Sequence, residues 1–197
     1  MDRPLPHAGL ARHLPNLITC VRIVLVAPLI VAVLGEDFRA ALWIAAIAGL
    51  SDAIDGFLAR HFGWRSRLGG WLDPLADKLL LVAAFLTLAQ IGRIAWPLAW
   101  LVLARDLVIV TGALAYQRVV GDFDAQPSLL SKTNTLVQIL YVLVVLFAAC
   151  FAWHLAAMPL AWPAAWLVAA LTIASGLDYL WRWGARARRV LRGRGGR

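Results

Sequence analysis

Cysteine is almost missing from this chain: two residues in 197, Cys20 and Cys150, each within an apolar run. So few exclude a disulfide framework, and in such surroundings they read as small hydrophobes without thiol chemistry. Charge is scarce too, at 15% of residues, with 11 acidic side chains against 19 basic ones. The opening sixteen residues lack the pattern of a secretory signal and are short for a transit peptide. Nor does any stretch read as a separate soluble module. One domain is expected over residues 1–197, with a lead-in at 1–15 and a basic tail at 184–197.

What is present is apolar. With 62% hydrophobic residues and a mean hydropathy of +0.76, the chain falls outside the range of ordinary soluble domains. Apolar runs near the length of a membrane span recur at 17–34, 39–58, 72–91, 96–118, 134–154 and 162–183. The net charge of +8 is then a topology signal. Arg3 and Arg12 precede the first run, Arg60, Arg65 and Arg67 follow the second, and Arg118 and Lys132 separate the fourth from the fifth. Seven arginines from Arg182 to Arg197 close the sixth, whereas the opposite side holds only Arg39 and Arg93. The positive-inside rule therefore predicts an all-α integral membrane protein, a six-transmembrane-helix bundle with both termini cytoplasmic. A bacterial inner membrane is the simplest location, with the mitochondrial inner membrane as the alternative.

The most informative stretch runs from Asp52 to Asp77, with the spacing D-x-x-D-G-x-x-A-R-x8-G-x-x-x-D-x-x-x-D. On a helix Asp52 and Asp55 lie about 60° apart, with Gly56 and Ala59 on the same face. Two carboxylates there stand beside residues with almost no side chain, so a bulky ligand could approach the backbone. Asp73 and Asp77 share a face in the same way, with Gly69 one turn earlier. Aspartates near a bilayer cost roughly 2.5–3.5 kcal/mol each on insertion scales, so four need a cation or a water-filled site. Converging carboxylates suit Mg²⁺ or Mn²⁺, which share their coordination with substrate phosphates. Ion pairs with Arg60, Arg65, Arg67 and Lys78 are the plainer reading, but they explain neither the glycines nor the register.

Other features divide between binding and packing. His7 and His13 have no ligand-like spacing and read as surface residues. Pro15 breaks the chain before the first run, and Asn16 is the expected helix cap. Arg22, one turn inside, either snorkels to head groups or faces the site. Asp73-Pro74 poses a conflict, because proline at a first helical position would make Asp73 a cap rather than a metal ligand. Arg105 and Asp106 are adjacent within apolar sequence and point about 100° apart, so they need not pair with each other. Ser128 to Gln138 brings further polar groups to the cytoplasmic depth. Arg105 and Lys132 are thus candidates for a second anion site, against structural hydrogen bonding between helices. Trp96, Trp100, Trp153, Trp162, Trp166, Trp181 and Trp183 lie near run ends, as an aromatic belt would. The arginine-rich tail is expected on anionic lipid. Topology accounts for its charge, so no nucleic-acid partner is expected.

The signature, with every one of its positions filled, resembles that of the CDP-alcohol phosphatidyltransferases. The run Pro15, Asn16, Thr19 and Arg22 resembles that family's first helix and makes Asn16, Thr19 and Arg22 weaker substrate-contact candidates. The resemblance implies transfer of a phosphatidyl group from CDP-diacylglycerol to an alcohol, with release of CMP. It implies that Asp52, Asp55, Asp73 and Asp77 hold the divalent metal, with Asp77 also the general base. Gly56, Ala59 and Gly69 would line the nucleotide pocket and Arg60 would sit with the nucleotide. Ser131-Lys132-Thr133-Asn134-Thr135, with Arg105-Asp106 upstream, is more similar to cardiolipin synthases, whose acceptor is phosphatidylglycerol. Enzymes using glycerol 3-phosphate, the alternative here, usually carry two lysines in that run. A homodimer is also implied. An ion or proton-coupled transporter is the remote rival, but the acidic residues cluster at one face and no inverted repeat is visible.

Overall fold

The computed structural model describes residues 14–62, 69–120, 128–151 and 161–194. These form six helices and no strand: α1 Leu14–Leu34, α2 Phe38–Phe62, α3 Gly69–Gln90, α4 Trp96–Val120, α5 Leu129–Cys150 and α6 Ala161–Arg194. Each falls on one of the six apolar runs. Two helical segments among the described residues are long and apolar enough to cross a membrane, Leu129–Cys150 and Trp162–Arg182. The apolar parts described for α1, α2 and α3 are Cys20–Leu34, Phe38–Ser51 and Lys78–Gln90.

The boundaries differ from the hydropathy pattern for physical reasons. α1 begins at Leu14, so Pro15 and Asn16 lie within its first turn and Asn16 is not its cap. First-turn amides have no helical partner, and proline there costs nothing. α5 begins at Leu129 rather than at 134, because the Ser131 amide donates to Ser128 Oγ at 3.2 Å and Ser128 caps the helix. α6 continues as helix beyond Trp183 to Arg194, which makes it 34 residues, about 50 Å. The arginine-rich tail is therefore largely helical.

Two compact units divide the chain: residues 1–93 with 143–153, and residues 94–142 with 154–197. In the first, α1 packs against both α2 and α3. Ala41, Ala45 and Ala48 form a buried stripe along α2, while Leu29 and Val33 of α1 and Phe85 and Leu88 of α3 are fully buried. Small residues at such spacing let helix backbones approach, and in lipid that contact, not the hydrophobic effect, holds helices together. In the second unit α4 packs on α6. The outward faces remain apolar: Val24, Trp43, Leu50, Trp166 and Trp181 are each about two-thirds or more exposed. Some hydroxyls within the helices are returned to their own backbone, as in Ser51 Oγ to the Ile47 carbonyl at 2.7 Å and Thr87 Oγ1 to the Ala83 carbonyl at 2.7 Å.

The turns that follow α1 and α3 use one device. Asp37 N–H donates to the Ala32 carbonyl (2.9 Å) and Glu36 N–H to Val33 (3.1 Å), while Arg93 N–H donates to Leu88 (2.8 Å) and Gly92 N–H to Ala89 (3.0 Å). This is the Schellman pattern, whose penultimate residue must be left-handed. Gly92 takes that place with φ 71°, and Glu36 takes it with φ 57°. Asp37 then caps α2, its Oδ1 accepting from the Ala40 amide at 3.1 Å. Arg93 lies over the Phe38 ring at 5.0 Å, a cation–π contact that ties the two turns together. Glu36→Gly should raise unfolding stability in detergent by roughly 0.5 kcal/mol, since a left-handed glycine carries no Cβ penalty. Gly92→Ala, which meets no neighbouring atom, should cost about 1 kcal/mol.

Candidate functional site

The signature lies on two helices of one unit, both packed against α1. α2 carries Asp52, Asp55, Gly56, Ala59 and Arg60 in one uninterrupted helical stretch that runs on to Phe62. The hydropathy pattern had ended this helix at 58. Its continuation keeps Ala59 and Arg60 in register with the aspartates. α3 begins at Gly69, so Asp73 is its fifth residue and not a cap, and Asp77 follows one turn later on the same face. That removes the conflict at Asp73-Pro74. Pro74 lies within the helix, where it has no N–H for the Gly70 carbonyl. The side chains of all these residues, and of Asn16 and Thr19, lie outside those the structure describes. Among the described side chains no group of metal-binding residues forms. Arg22 is one that the structure does describe. On the helix shared by α2 and α3 it is 2% exposed and engaged in an interaction, so it faces inward and does not snorkel.

The second unit holds a polar seam inside otherwise apolar helices. Arg105, 6% exposed, donates from Nη1 to Asp106 Oδ1 at 2.6 Å and from Nη2 to Ser131 Oγ at 2.6 Å and Ser175 Oγ at 2.8 Å. The adjacent pair does meet, a contact the helical angle leaves open, because a long arginine side chain can bend back where its backbone vector does not point. One turn further along α5, Gln138 Nε2 donates to Thr172 Oγ1 at 3.0 Å, and Thr172 donates to Asn134 Oδ1 at 3.1 Å. All three are fully buried. Asn134 Nδ2 and Gln138 Oε1 are buried without a hydrogen-bond partner among the described residues. Gly176 lies beside Arg105 in this seam, where a Cβ would stand at an ordinary contact distance of 3.7 Å from Arg105 Cγ.

Hydrogen bonds between helices engage Arg105, Ser131, Asn134 and Gln138. Lys132 stands apart from this seam and is exposed in the first turn of α5. Sequence reading missed the α6 partners Thr172 and Ser175. The signal available was their i, i+3 spacing, followed by Gly176, in an apolar span. Breaking a buried ion pair on one side leaves an unpaired charge, so Asp106→Leu should destabilise the protein by roughly 3–5 kcal/mol. Arg105→Leu combined with Asp106→Leu should cost clearly less than that single change, measured by unfolding in detergent.

A family model described as CDP-alcohol phosphatidyltransferase matches residues 12–176. A rat protein named cardiolipin synthase (CMP-forming) is 31% identical over 92% of this chain and 64% of its own length. Its human counterpart by name is 34% identical over 70% of this chain and 51% of its own length. A rice protein named CDP-diacylglycerol–glycerol-3-phosphate 3-phosphatidyltransferase 1, chloroplastic, is 33% identical over 85% of this chain and 56% of its own length. The chain thus spans between half and two thirds of each of these relatives.

Proposed function

The chain belongs to the CDP-alcohol phosphatidyltransferase family, and from that premise we propose that it transfers a phosphatidyl group from CDP-diacylglycerol to phosphatidylglycerol, releasing CMP and forming cardiolipin. The observation that carries this is the complete signature, held on two continuous helices that share one packing partner. Four carboxylates at i, i+3 and i, i+4 spacing on helical backbone are a donor set of hard oxygens that fits Mg²⁺ or Mn²⁺. Asp52, Asp55 and Asp73 would hold the ion, which when bound neutralises charge on the pyrophosphate and on the leaving phosphate. Gly56, Ala59 and Gly69 leave room for the nucleotide, and Arg60 pairs with it. Asp77 takes the proton of the acceptor hydroxyl as that oxygen bonds to the phosphatidyl phosphorus. The phosphorus–oxygen bond of the pyrophosphate then breaks, and its electron pair leaves with CMP.

Lys132 is the residue we assign to the acceptor's phosphate. Relatives bearing both the cardiolipin synthase and the glycerol-3-phosphate names resemble this chain to similar degrees. Glycerol 3-phosphate is therefore the second acceptor to test. Six membrane spans, with both termini and the signature on the cytoplasmic face of a bacterial inner membrane, complete the reading. It is supported by the one-sided distribution of arginines and the apolar outward faces of the helices. The helical arginine-rich end of α6 would then meet anionic head groups. A homodimer rests on the family resemblance.

In an assay with CDP-diacylglycerol, Mn²⁺ or Mg²⁺ and each alcohol, Asp52→Asn or Asp55→Asn should abolish CMP release. Full activity in excess chelator would sink the metal assignment. Gly56→Leu should insert and fold yet lose CDP-lipid binding. Lys132→Ala should raise the KM for the acceptor roughly tenfold, in line with the loss of one charge-assisted hydrogen bond, and leave that for CDP-diacylglycerol near wild type.

A further inference from the structure

The polar seam of the second unit leaves one donor and one acceptor over. Asn134 and Gln138 stand one turn apart on the same face of α5. With Thr172 of α6 they are 0%, 1% and 0% exposed. Thr172 Oγ1 accepts from Gln138 Nε2 at 3.0 Å and donates to Asn134 Oδ1 at 3.1 Å. Asn134 Nδ2, a donor, and Gln138 Oε1, an acceptor, remain buried with no partner among the described residues. Leaving either bare carries its full desolvation penalty. The next side chains along the seam do not relieve it. α4 and α6 run parallel, since Arg105 meets Ser175 while a Cβ on Gly112 would lie 3.6 Å from Tyr179 Cε1. α5 runs against them, since its Ser131 joins Arg105 at the level of Ser175 and its Gln138 reaches back to Thr172. Past Arg105 and Thr172 in that direction the buried residues include Ala99, Val102 and Val168, which have no polar side-chain atom.

We infer that this part of the seam is a binding site for one water molecule, which joins Asn134 to Gln138 and closes the bonds through Thr172 into a ring. The chemistry required does not depend on which way the amides face. If both turn over, Thr172 accepts from Asn134 Nδ2 and donates to Gln138 Oε1, because amide oxygen and nitrogen occupy nearly the same shape. Asn134 Oδ1 and Gln138 Nε2 are then left over, again one acceptor and one donor. A cation would satisfy the acceptor and repel the amide N–H, and an anion would do the reverse. A small neutral molecule that both donates and accepts satisfies the two in either orientation. Side chains this deeply buried restrict its size, and buried waters hold on to about two to four such partners. The site is independent of phosphatidyl transfer, so its failure leaves that reading untouched.

The test is nuclear magnetic resonance on the full chain in detergent, labelled with ¹⁵N-asparagine. The chain has two asparagines, so Asn16→Ser leaves the Asn134 side-chain amide as the single pair of signals. Those protons should show a dipolar cross-peak to water, whose sign in the rotating frame separates contact from proton exchange. A resolved amide pair without that cross-peak overturns the inference. Gln138→Leu on the same background removes the water's second partner and should weaken the cross-peak about threefold or more, since one partner does not retain a buried water. An undiminished cross-peak in the folded variant overturns the bridge. If Gln138→Leu does not fold, a crystal structure of the wild type that resolves ordered water decides. A single oxygen within hydrogen-bond distance of both Asn134 and Gln138 supports the inference. A dry seam, or a hydroxyl of lipid or detergent in that place, overturns it.

Discussion

A charged or polar group inside an apolar helix bundle persists only if the fold replaces what water would have supplied. Removing both members of an ion pair from water costs several kcal/mol per ion, and the pair is held only when its remaining hydrogen-bonding sites are also occupied. Arg105 meets most of that condition. Asp106 supplies the countercharge, and hydroxyls from α5 and α6 take two further donors. Three helices are thereby locked in register by one side chain. The Gln138–Thr172–Asn134 bonds repeat the principle one turn on without charge. Elsewhere the requirement is met locally, by i−4 carbonyls for Ser51, Thr87 and Thr111.

The same constraint explains what the sequence reveals and what it hides. Six helices are legible because each needs a long apolar run, and hydropathy measures that directly. Helix ends are less legible, because hydropathy reports the apolar extent and not the hydrogen-bonded extent. Ser131 precedes the apolar run that starts at 134, yet with Asn134 and Gln138 it belongs to the inward face of α5, capped by Ser128. Arginines from Arg186 onward end the apolar run without ending the helix, since arginine is a good helix former. At Gly35-Glu36-Asp37 the glycine suggests the left-handed position, but the bonds place Glu36 there instead. A one-residue shift of this kind is invisible without the backbone.

The functional signature is legible for a different reason. Its chemistry fixes which residue types can stand at which helical intervals, so eight positions spell it out over a short stretch. Partners brought together by folding leave no such trace. Ser175 lies 70 positions from Arg105, and nothing in either neighbourhood names the other. For Arg105 the bonds to Asp106, Ser131 and Ser175 become visible only in the folded seam. The helical angle left the Arg105–Asp106 contact open, because it treats side chains as rigid vectors.

A division of labour follows from where these features lie. The donor signature sits wholly on α2 and α3, which share α1 as packing partner, and Arg22 is buried on that same helix. The seam and Lys132 sit in the other unit, built on α4, the first part of α5 and α6. Relatives named for two different acceptors match this chain at 31% and 33% identity. Overall similarity therefore carries almost no information about the acceptor. A reaction whose donor is constant and whose acceptor varies is served by such an arrangement. The residues we propose for the donor are held in register by continuous helix in one unit, and the lysine we propose for the acceptor's phosphate stands on a helix of the other.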